Sequence, residues 1–465
     1  MHEERQLRIE KDTLGKVRLP DDVYYGAQTG RAVDNFPISG LRLPGRFIRA
    51  QGIVKLAAAR ANASMGLLGK KMLKAVERAA SEVIKGMHNQ HFVVDVYQAG
   101  AGTSQNMNAN EVIANRAIEI LGGEKGDYTL VNPNDHVNMA QSTNDTIPAS
   151  IYISSFGAVR DDLIPALGGL SDALLSKSLE FDNIVKAGRT HMQDAVPIRL
   201  GQEFGGYAEA IKKDMRRINN AVESLLYLPL GGNATGTGIN TGPQYRGNVI
   251  KEIKKITGIK FKSCENLFEG IQNVTPALEL SAALRGVSIT LTKITNDIRL
   301  LSSGPRTGLA EIKLPAVQPG SSIMPGKVNP VMAEMLNMVC FQVMGNDATI
   351  AYATQASQLE LNVMMPVIAY NLLFSIEILS NGINAFTEKC VTGIEADAKR
   401  CEDYADATLA MATALNPLIG YAPAAEVSKE AYKSGKSIRQ IAVEKGILDE
   451  KNASRILDPR KLTGN

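Results

Sequence analysis

Long stretches of the chain carry apolar residues at alternating steps of three and four, which is the spacing of one face of an α-helix. Charged residues fall between these positions, on the opposite face. Several helices of this kind in one chain are typical of a helical bundle, so the sequence predicts an all-α fold. The predicted long helices lie at about 148–179, 204–225, 280–301, 329–343 and 366–386.

Some of these helices carry apolar residues outside the main stripe. Leu278, Ile289 and Leu300 lie off the seam of the predicted helix at 280–301. A helix that is apolar on two faces needs a partner for each face. We therefore expect a homo-oligomer whose core is shared between subunits.

Charge and composition exclude several classes of protein. Lys and Arg total 51 against 48 Asp and Glu, there is no Trp, and aromatic residues make up only 5% of the chain. This balance argues against nucleic acid as the main partner, because neither a basic surface nor a set of stacking rings is supplied. Because no run of 18 apolar residues occurs, we expect no membrane-spanning segment.

The charged start of the chain and its cysteines both favour a cytoplasmic location. Residues 1–12 lack the apolar region of a secretory signal. The 4 cysteines fit neither a CxxC motif nor a zinc pattern. We expect a cytoplasmic protein whose thiols are reduced and mostly buried. The cysteines are Cys264, Cys340, Cys390 and Cys401.

The long helices occupy the middle of the chain and divide it into three predicted domains. The predicted boundaries give an N-terminal domain at 1–143, a central helical domain at 144–395 and a small C-terminal domain at 396–465. Within the last of these, Ser437–Ala442 has the pattern of a short helix.

Four short segments next to helices are dense in Ser, Thr and Asn. Taken singly, each could be a loop with a helix cap, since hydroxyls and amides favour helix N-termini. Taken together, with a histidine in one segment and a lysine in another, they predict a polar pocket for a small anion. The segments are 102–108, 141–145, 188–194 and 320–330.

The remaining motifs narrow the chemistry. No Cys–His pair and no GxSxG elbow is present, so activated thiol or elbow-type nucleophiles are not supported. The 5 histidines form no HExxH pair, so we expect no catalytic metal. The glycine-rich stretch 236–240 fits neither of the usual nucleotide-binding patterns and is better explained as a turn between helices.

The segment Gly320–Pro330 is the most specific of the four. It has glycine at 320 and 326, serines at 321 and 322, and then Lys327 and Asn329 two residues apart. Glycines near both ends permit movement, which suits a loop that closes on a substrate. A simple linker would not need this set of polar groups.

This segment resembles the signature loop of the aspartase/fumarase superfamily, and the resemblance extends from Tyr24-Tyr25-Gly26 to the C-terminal domain. The resemblance implies a three-domain, all-α fold with a central five-helix bundle. It also implies a homotetramer with a twenty-helix core, in which each active site draws on three subunits. It implies no cofactor and a small dicarboxylate substrate.

The family reaction is a reversible trans-elimination that forms fumarate through an aci-carboxylate intermediate. The resemblance implies that Ser321 is the base that removes the C3 proton, with its alkoxide stabilised by neighbouring donors and by Lys327. His191 and Asn144 resemble the groups near the leaving substituent, and Glu334 resembles the partner of that histidine. The remaining positions match the groups that bind the two carboxylates. Donors to the aci-carboxylate are Thr103, Ser142, Thr143 and Ser322, and the clamp on the other carboxylate is Lys327, Asn329 and Thr190.

The substrate follows from smaller features of the resemblance. Thr143 after Ser142, the segment 99–103 and Tyr97 resemble the members that act on L-aspartate. We therefore expect deamination of L-aspartate to fumarate and ammonia, with dehydration of L-malate as the alternative. Three positions depart from the family pattern, namely Asn233, Thr235 and Met365, and the double glycine 231–232 is more typical of the L-malate members. An unusual aspartate-like amine therefore stays open. A non-catalytic helical protein that keeps the fold is the alternative from another class.

Overall fold

The structure, a computed structural model, describes residues 6–464. Residues 1–5, on which part of the expectation about the charged start rests, lie outside the described residues, as does Asn465. The described chain is dominated by helices, and its strands form only two-stranded pairs. The predicted all-α fold is confirmed.

Helices of very different length make up most of this chain. In chain order they are α1 Ala27–Asn35, α2 Gly45–Ser64, α3 Lys70–Ile84, α4 Thr103–Ile120, α5 Thr143–Ala158, α6 Ile164–Glu180, α7 Leu200–Val222, α8 Tyr245–Thr257, α9 Leu267–Gln272, α10 Thr275–Leu301, α11 Val331–Gln355, α12 Met365–Lys389, α13 Ala398–Ala407, α14 Asn416–Ile419, α15 Tyr421–Ser434, α16 Ile438–Glu444 and α17 Glu450–Ile456.

The strands are short, and one pair is parallel while the others are antiparallel. The antiparallel pairs are β1 Leu7–Asp12 with β2 Gly15–Pro20, β3 Val185–Thr190 with β4 Gln193–Arg199, and β7 Ile312–Lys313 with β8 Glu395–Ala396. The parallel pair is β5 Tyr227–Leu228 with β6 Lys262–Ser263.

Four of the predicted long helices are confirmed as α7, α10, α11 and α12, and α10 ends at Leu301 as the sequence predicts. The fifth begins earlier than predicted. Its first residue is Thr143, because Ser142 caps the helix, and Pro148 lies inside it instead of starting it. After Ala158 a π-helical turn, Val159–Leu163, leads directly into α6. The short predicted helix at 437–442 is α16, with Ser437 as its N-cap.

The chain forms two compact units, each assembled from separate stretches. The first comprises the chain up to Ile164 with Arg216–Gly286 and Phe341–Ile378. The second comprises Pro165–Met215, Val287–Cys340 and the chain from Leu379 onward. The boundaries fall inside α6, α7, α10, α11 and α12. The division into domains at 1–143, 144–395 and 396–465 stays a prediction.

The core of the first unit is built from α2, α3 and α4. Small side chains such as Ala59, Ala79 and Ala114 let these helices pack closely, and larger side chains such as Ile113 and Ile118 fill the spaces between them. In the second unit, α15, α16 and the 3₁₀ helix Leu409–Leu415 enclose a smaller apolar cluster.

The cysteines and the most apolar helix fit this packing. All four cysteines are buried free thiols, as expected. Within the described residues, one helical stretch, Met365–Gly393, is long and apolar enough to cross a membrane by length and composition. Within this stretch, 61% of the most apolar 18-residue segment is buried inside the protein. A single helix of this kind is a weak indication of a membrane span, because the core helix of a helical bundle has the same property.

Candidate active site

The N-terminus of α5 carries three predicted substrate-binding residues: Ser142, Thr143 and Asn144. The Ser142 hydroxyl accepts the backbone N–H of Asn144 at 3.2 Å, and Asp145 Oδ1 accepts the backbone N–H of Ser142 at 3.0 Å. This reciprocal pair is a capping box. The first turn of α5 therefore has a fixed shape, and its partial positive charge attracts anions.

Asp145 also ties this helix end to a loop. Its Oδ2 accepts the backbone N–H groups of Gly231 at 3.1 Å and Asn233 at 2.9 Å. The carboxyl group is fully buried, and burial raises its pKa to about 6 although these hydrogen bonds lower it. Next to it, Asn144 Nδ2 donates to the Ala234 carbonyl at 2.8 Å. Asn144 therefore has its oxygen Oδ1 left to accept a hydrogen bond.

Thr143 is half-buried, and its hydroxyl oxygen accepts Asn106 Nδ2 at 3.3 Å. In the described part of the chain, no group accepts the hydroxyl hydrogen of Thr143 or of Ser142. Both hydroxyls accept from the protein and retain a hydrogen to donate. Such hydroxyls suit an anionic ligand.

Thr103 begins α4, directly after two residues in left-handed conformations, Ala101 at φ 58° and Gly102 at φ 83°. A Cβ on Gly102 would lie 3.2 Å from the Ile147 side chain on α5, so glycine permits the close approach of the two helix starts. Thr103 is exposed and donates to the Gly100 carbonyl at 3.3 Å. The first unit thus brings Thr103 close to the predicted residues on α5.

A buried lysine, Lys55, lies behind the start of α5, and it is not among the site residues predicted from the sequence. Lys55 Nζ donates to Asn106 Oδ1 at 2.8 Å, Asn138 Oδ1 at 2.9 Å and Gln141 Oε1 at 3.0 Å. Burial lowers its pKa to about 7, and Asp145 opposes this shift. A signal was present in the sequence, because three polar side chains recur at helical spacing among the apolar residues of α2. These buried side chains on α2 are Gln51, Lys55 and Asn62.

In the second unit, the loop after Gly320 positions Ser321. The Ser321 hydroxyl oxygen accepts two backbone N–H groups, from Ile323 at 3.2 Å and Met324 at 2.9 Å. Donors aimed at an oxygen stabilise its negative charge and lower its pKa. Ser321 is therefore the hydroxyl in this loop that is best suited to act as a base, whereas Ser322 is exposed.

The base of this loop is closed by its own backbone. The Gly320 N–H donates to the Lys327 carbonyl at 2.8 Å, and Asn329 Nδ2 donates to the Gly320 carbonyl at 2.6 Å. A Cβ on Gly320 would lie 2.5 Å from the Lys327 oxygen, so no larger residue fits without opening the loop. The side chain of Lys327 extends from this closed loop and is exposed.

Thr190 and His191 lie at the exposed tip of the hairpin formed by β3 and β4. His191 and Met192 both have positive φ, at 56° and 61°, which is the geometry that two-residue hairpins usually assign to Asn-Gly. Strain of this kind is concentrated at functional sites. Glu334 lies in the first turn of α11. Since no hydrogen bond joins Glu334 to His191 within residues 6–464, that pairing stays a prediction.

A buried ion cluster anchors the hairpin, and nothing in the sequence pattern pointed to it. Glu311 is completely buried and is bound by Lys186 at 2.9 Å and Arg189 at 2.8 Å. Lys186 also binds Glu203 at 2.9 Å. The cluster connects β3 to the segment that leads into the Gly320 loop. Sequence spacing could not reveal it, because its members are far apart in the chain.

Metal ligands are not grouped in the described structure. Between residues 6 and 464, no set of three or more His, Cys, Asp or Glu side chains is close enough together to hold a metal ion. The predicted substrate-binding groups are hydroxyls, amides and the exposed ammonium of Lys327, and such groups bind anions through hydrogen bonds.

Comparison with known proteins gives a consistent family. The family described as "Lyase" matches residues 15–345, and the family described as "Fumarase C C-terminus" matches residues 411–464. An aspartate ammonia-lyase from a Bacillus species is 48% identical over 98% of this chain and 97% of its own length. A class II fumarate hydratase from Halobacterium salinarum is 50% identical over 98% of this chain and 97% of its own length. The crystal structure of a class II fumarase from Schistosoma mansoni, 37% identical, superposes with a TM-score of 0.96 over 98% of this chain and 99% of that chain.

The helical fold, the polar helix starts and the serine loop define a lyase of the all-α class. More specifically, the chain belongs to the aspartase/fumarase superfamily. The family resemblance seen in the sequence is thereby confirmed. The relatives are divided between two reactions at similar identity, so the family does not by itself fix the leaving group.

The buried Glu311 cluster gives a stability prediction. Glu311→Gln removes the charge between Lys186 and Arg189, and breaking a buried ion pair in this way costs about 3–5 kcal/mol of unfolding free energy. Chemical denaturation followed by circular dichroism would measure the loss. The matched control is Glu426→Gln, whose pair with Lys429 is exposed, and its unfolding midpoint should stay unchanged. Equal midpoints for the two variants would contradict the anchoring role of Glu311.

Proposed function

We propose that the protein is an ammonia-lyase that converts L-aspartate reversibly to fumarate and ammonia. The observation that carries this proposal is the fixed start of α5, where Asn144 Nδ2 is bound to Ala234 and the Asn144 oxygen is left as an acceptor. An ammonium substituent donates three hydrogen bonds and needs such acceptors. Thr143, Tyr97 and the segment 99–103 favour the same substrate by their resemblance to aspartate-specific members.

Dehydration of L-malate, the class II fumarase reaction, is the second candidate. A hydroxyl substituent can also donate to the Asn144 oxygen, and the Halobacterium salinarum relative that is named a fumarate hydratase is 50% identical. The double glycine 231–232, whose first N–H binds Asp145, resembles that group of proteins. Both candidates use the same carbon skeleton and differ only in the group that leaves C2.

In the proposed reaction, the Ser321 alkoxide takes the proton from C3 of the substrate. The electron pair of the broken C–H bond moves into the neighbouring carboxylate and gives a dianionic aci-carboxylate. The pair then returns to form the C2–C3 double bond of fumarate while the C2–N bond breaks and ammonia leaves. The backbone N–H groups of Ile323 and Met324 donate to the Ser321 oxygen at 3.2 and 2.9 Å and stabilise its negative charge.

The other site residues keep the roles that the resemblance implies. Thr103, Ser142, Thr143 and Ser322 donate to the aci-carboxylate, and each donor of this kind contributes about 10²–10³ in rate. His191, supported by Glu334, and Asn144 serve the leaving group. The clamp on the second carboxylate is Lys327, Asn329 and Thr190.

We propose that the active protein is a homotetramer in which three subunits contribute to each site. Large apolar side chains remain exposed on α10 and α11, including Ile289 at 55%, Leu300 at 39% and Met338 at 65% exposure. Exposed apolar side chains on long helices are expected to be buried against further copies of the chain.

The substrate proposal is tested by turnover on two substrates. Fumarate formation is followed by its ultraviolet absorbance with L-aspartate and, separately, with L-malate at equal concentrations. We expect kcat/KM on L-aspartate to exceed that on L-malate by at least about 100-fold, since a site built for one leaving group leaves polar groups unpaired with the other. Turnover of L-malate with none on L-aspartate would assign the protein to the second candidate.

Ser321→Ala tests the base. Without the hydroxyl, no group in the loop can take the C3 proton, so kcat should fall by at least about 10³-fold. Size-exclusion chromatography should show the same assembly as the wild type, because Ser321 lies in a surface loop. Ser434→Ala, an exposed serine on α15, is the control and should keep full activity. A Ser321→Ala variant with normal kcat would remove this serine from the mechanism.

Lys327→Ala tests the carboxylate clamp. Losing a charged hydrogen bond to one end of a dicarboxylate should raise KM by about 10- to 100-fold, while the chemistry at Ser321 is affected less. Initial rates over a range of substrate concentrations separate KM from kcat. Lys399→Ala removes an exposed lysine on α13 and should leave both constants unchanged. If KM of Lys327→Ala matches the wild type, the carboxylate is bound by other residues.

A further inference from the structure

We infer that Lys55 is a positioning residue of this active site. Its buried ammonium acts through Asn106 to orient the Thr143 hydroxyl and to stabilise the negative charge of an anion bound there. This inference rests on the proposed function, because it takes Thr143 to contact a carboxylate of the substrate. It adds a cation behind the set of neutral donors that the family resemblance implies.

The contacts form a continuous chain from the ammonium to the surface of the site. Lys55 Nζ donates to Asn106 Oδ1 at 2.8 Å, and Asn106 Nδ2 donates to the Thr143 hydroxyl at 3.3 Å. An amide that accepts from an ammonium is polarised, and its N–H becomes a stronger donor. The Thr143 hydroxyl, which accepts that N–H, in turn becomes a better donor toward an anion.

Lys55 is held almost entirely by neutral groups. Its three hydrogen-bond acceptors are amide oxygens of Asn106, Asn138 and Gln141, and its side chain is 1% exposed. Burying an ammonium without a bonded carboxylate is costly, and a protein core built only for packing would use an apolar residue on α2. A ligand that brings negative charge to Thr143 adds a second counter-charge to that of Asp145.

One buried carboxylate acts on Lys55 without a direct hydrogen bond to it. Among the described residues on the elements packed against α2, the charged group that acts on Lys55 is Asp145 on α5. Its two oxygens already accept three backbone N–H groups, from Ser142, Gly231 and Asn233. The α4 side chain Asn106 and the turn residues Asn138 and Gln141 are neutral.

This arrangement links anion binding at Thr143 to the protonation of Lys55. In the free enzyme burial lowers the pKa of Lys55 to about 7, so near neutral pH the side chain exchanges between the ammonium, which donates all three hydrogen bonds, and the neutral amine. An anion at Thr143 favours the ammonium and raises that pKa, so binding at pH 8 takes up a proton. Asp145, with a pKa of about 6, is ionised at pH 8 before and after binding.

The first test uses the unaltered protein. Binding of succinate, a saturated four-carbon dicarboxylate that cannot undergo the elimination, is measured by isothermal titration calorimetry at pH 8 in two buffers of different ionisation enthalpy. We expect net proton uptake on binding, and KM for the turned-over substrate should rise as the pH increases through the pKa of Lys55. Binding of succinate without proton uptake would overturn the inference.

The second test uses Lys55→Met, which removes the charge and leaves an unbranched side chain that is one atom shorter. We expect kcat/KM to fall by about 10- to 100-fold, proton uptake to be lost and the rise of KM above pH 7 to disappear. A merely structural role of Lys55 would not alter proton uptake. Lys177→Met is the matched control, because Lys177 is also a buried lysine, 8% exposed and bound to Glu180 and the Ile394 carbonyl.

The outcomes separate this inference from the proposed function. If the wild type turns over neither L-aspartate nor L-malate, the proposed function fails and the inference fails with it. If the wild type is active and Lys55→Met retains its kcat/KM and proton uptake, the inference alone fails. Should Lys55→Met not fold, the calorimetry on the unaltered protein decides.

Discussion

The buried carboxylate of Asp145 is the interaction on which the anion-binding end of this structure depends. It accepts the Ser142 N–H within α5 and the N–H groups of Gly231 and Asn233 in the facing loop. One side chain therefore fixes both the start of the helix and the loop that receives Asn144. Because backbone N–H groups satisfy it, the carboxylate can be buried without a direct ion pair. The conformations of Ser142, Thr143 and Asn144 follow from this single constraint.

Much of the helical fold could be predicted from the sequence, because long helices leave a strong periodic signal. The stripe that ends at Leu301 and the one that follows Pro366 place α10 and α12 to within a few residues. α5 starts before the predicted position 148, because the capping box formed by Ser142 and Asp145 begins the helix at Thr143. Local capping chemistry decides such boundaries, and periodicity does not report it.

The candidate site could be predicted only where its residues lie together in the chain. The loop from Ser321 to Asn329 and the start of α5 were found from short runs of polar residues. Lys55 and Glu311 are not among the predicted residues, because their partners come from distant segments of the chain, although Gln51, Lys55 and Asn62 recur at helical spacing on α2. Long-range pairing of this kind has no sequence spacing, and a solitary buried charge is recognised only when its partners are known.

The two kinds of hydroxyl in this protein show how environment assigns chemical roles to one functional group. Ser142 and Thr143 each accept one N–H from the protein and keep a hydrogen that can be donated to an anion. Ser321 accepts two backbone N–H groups at its oxygen, which favours the alkoxide over the alcohol. A hydroxyl group has a pKa far above neutrality, so the second donor matters: it moves the serine from the role of donor toward that of base. In the proposed elimination this difference separates the group that takes the proton from the groups that stabilise the resulting charge.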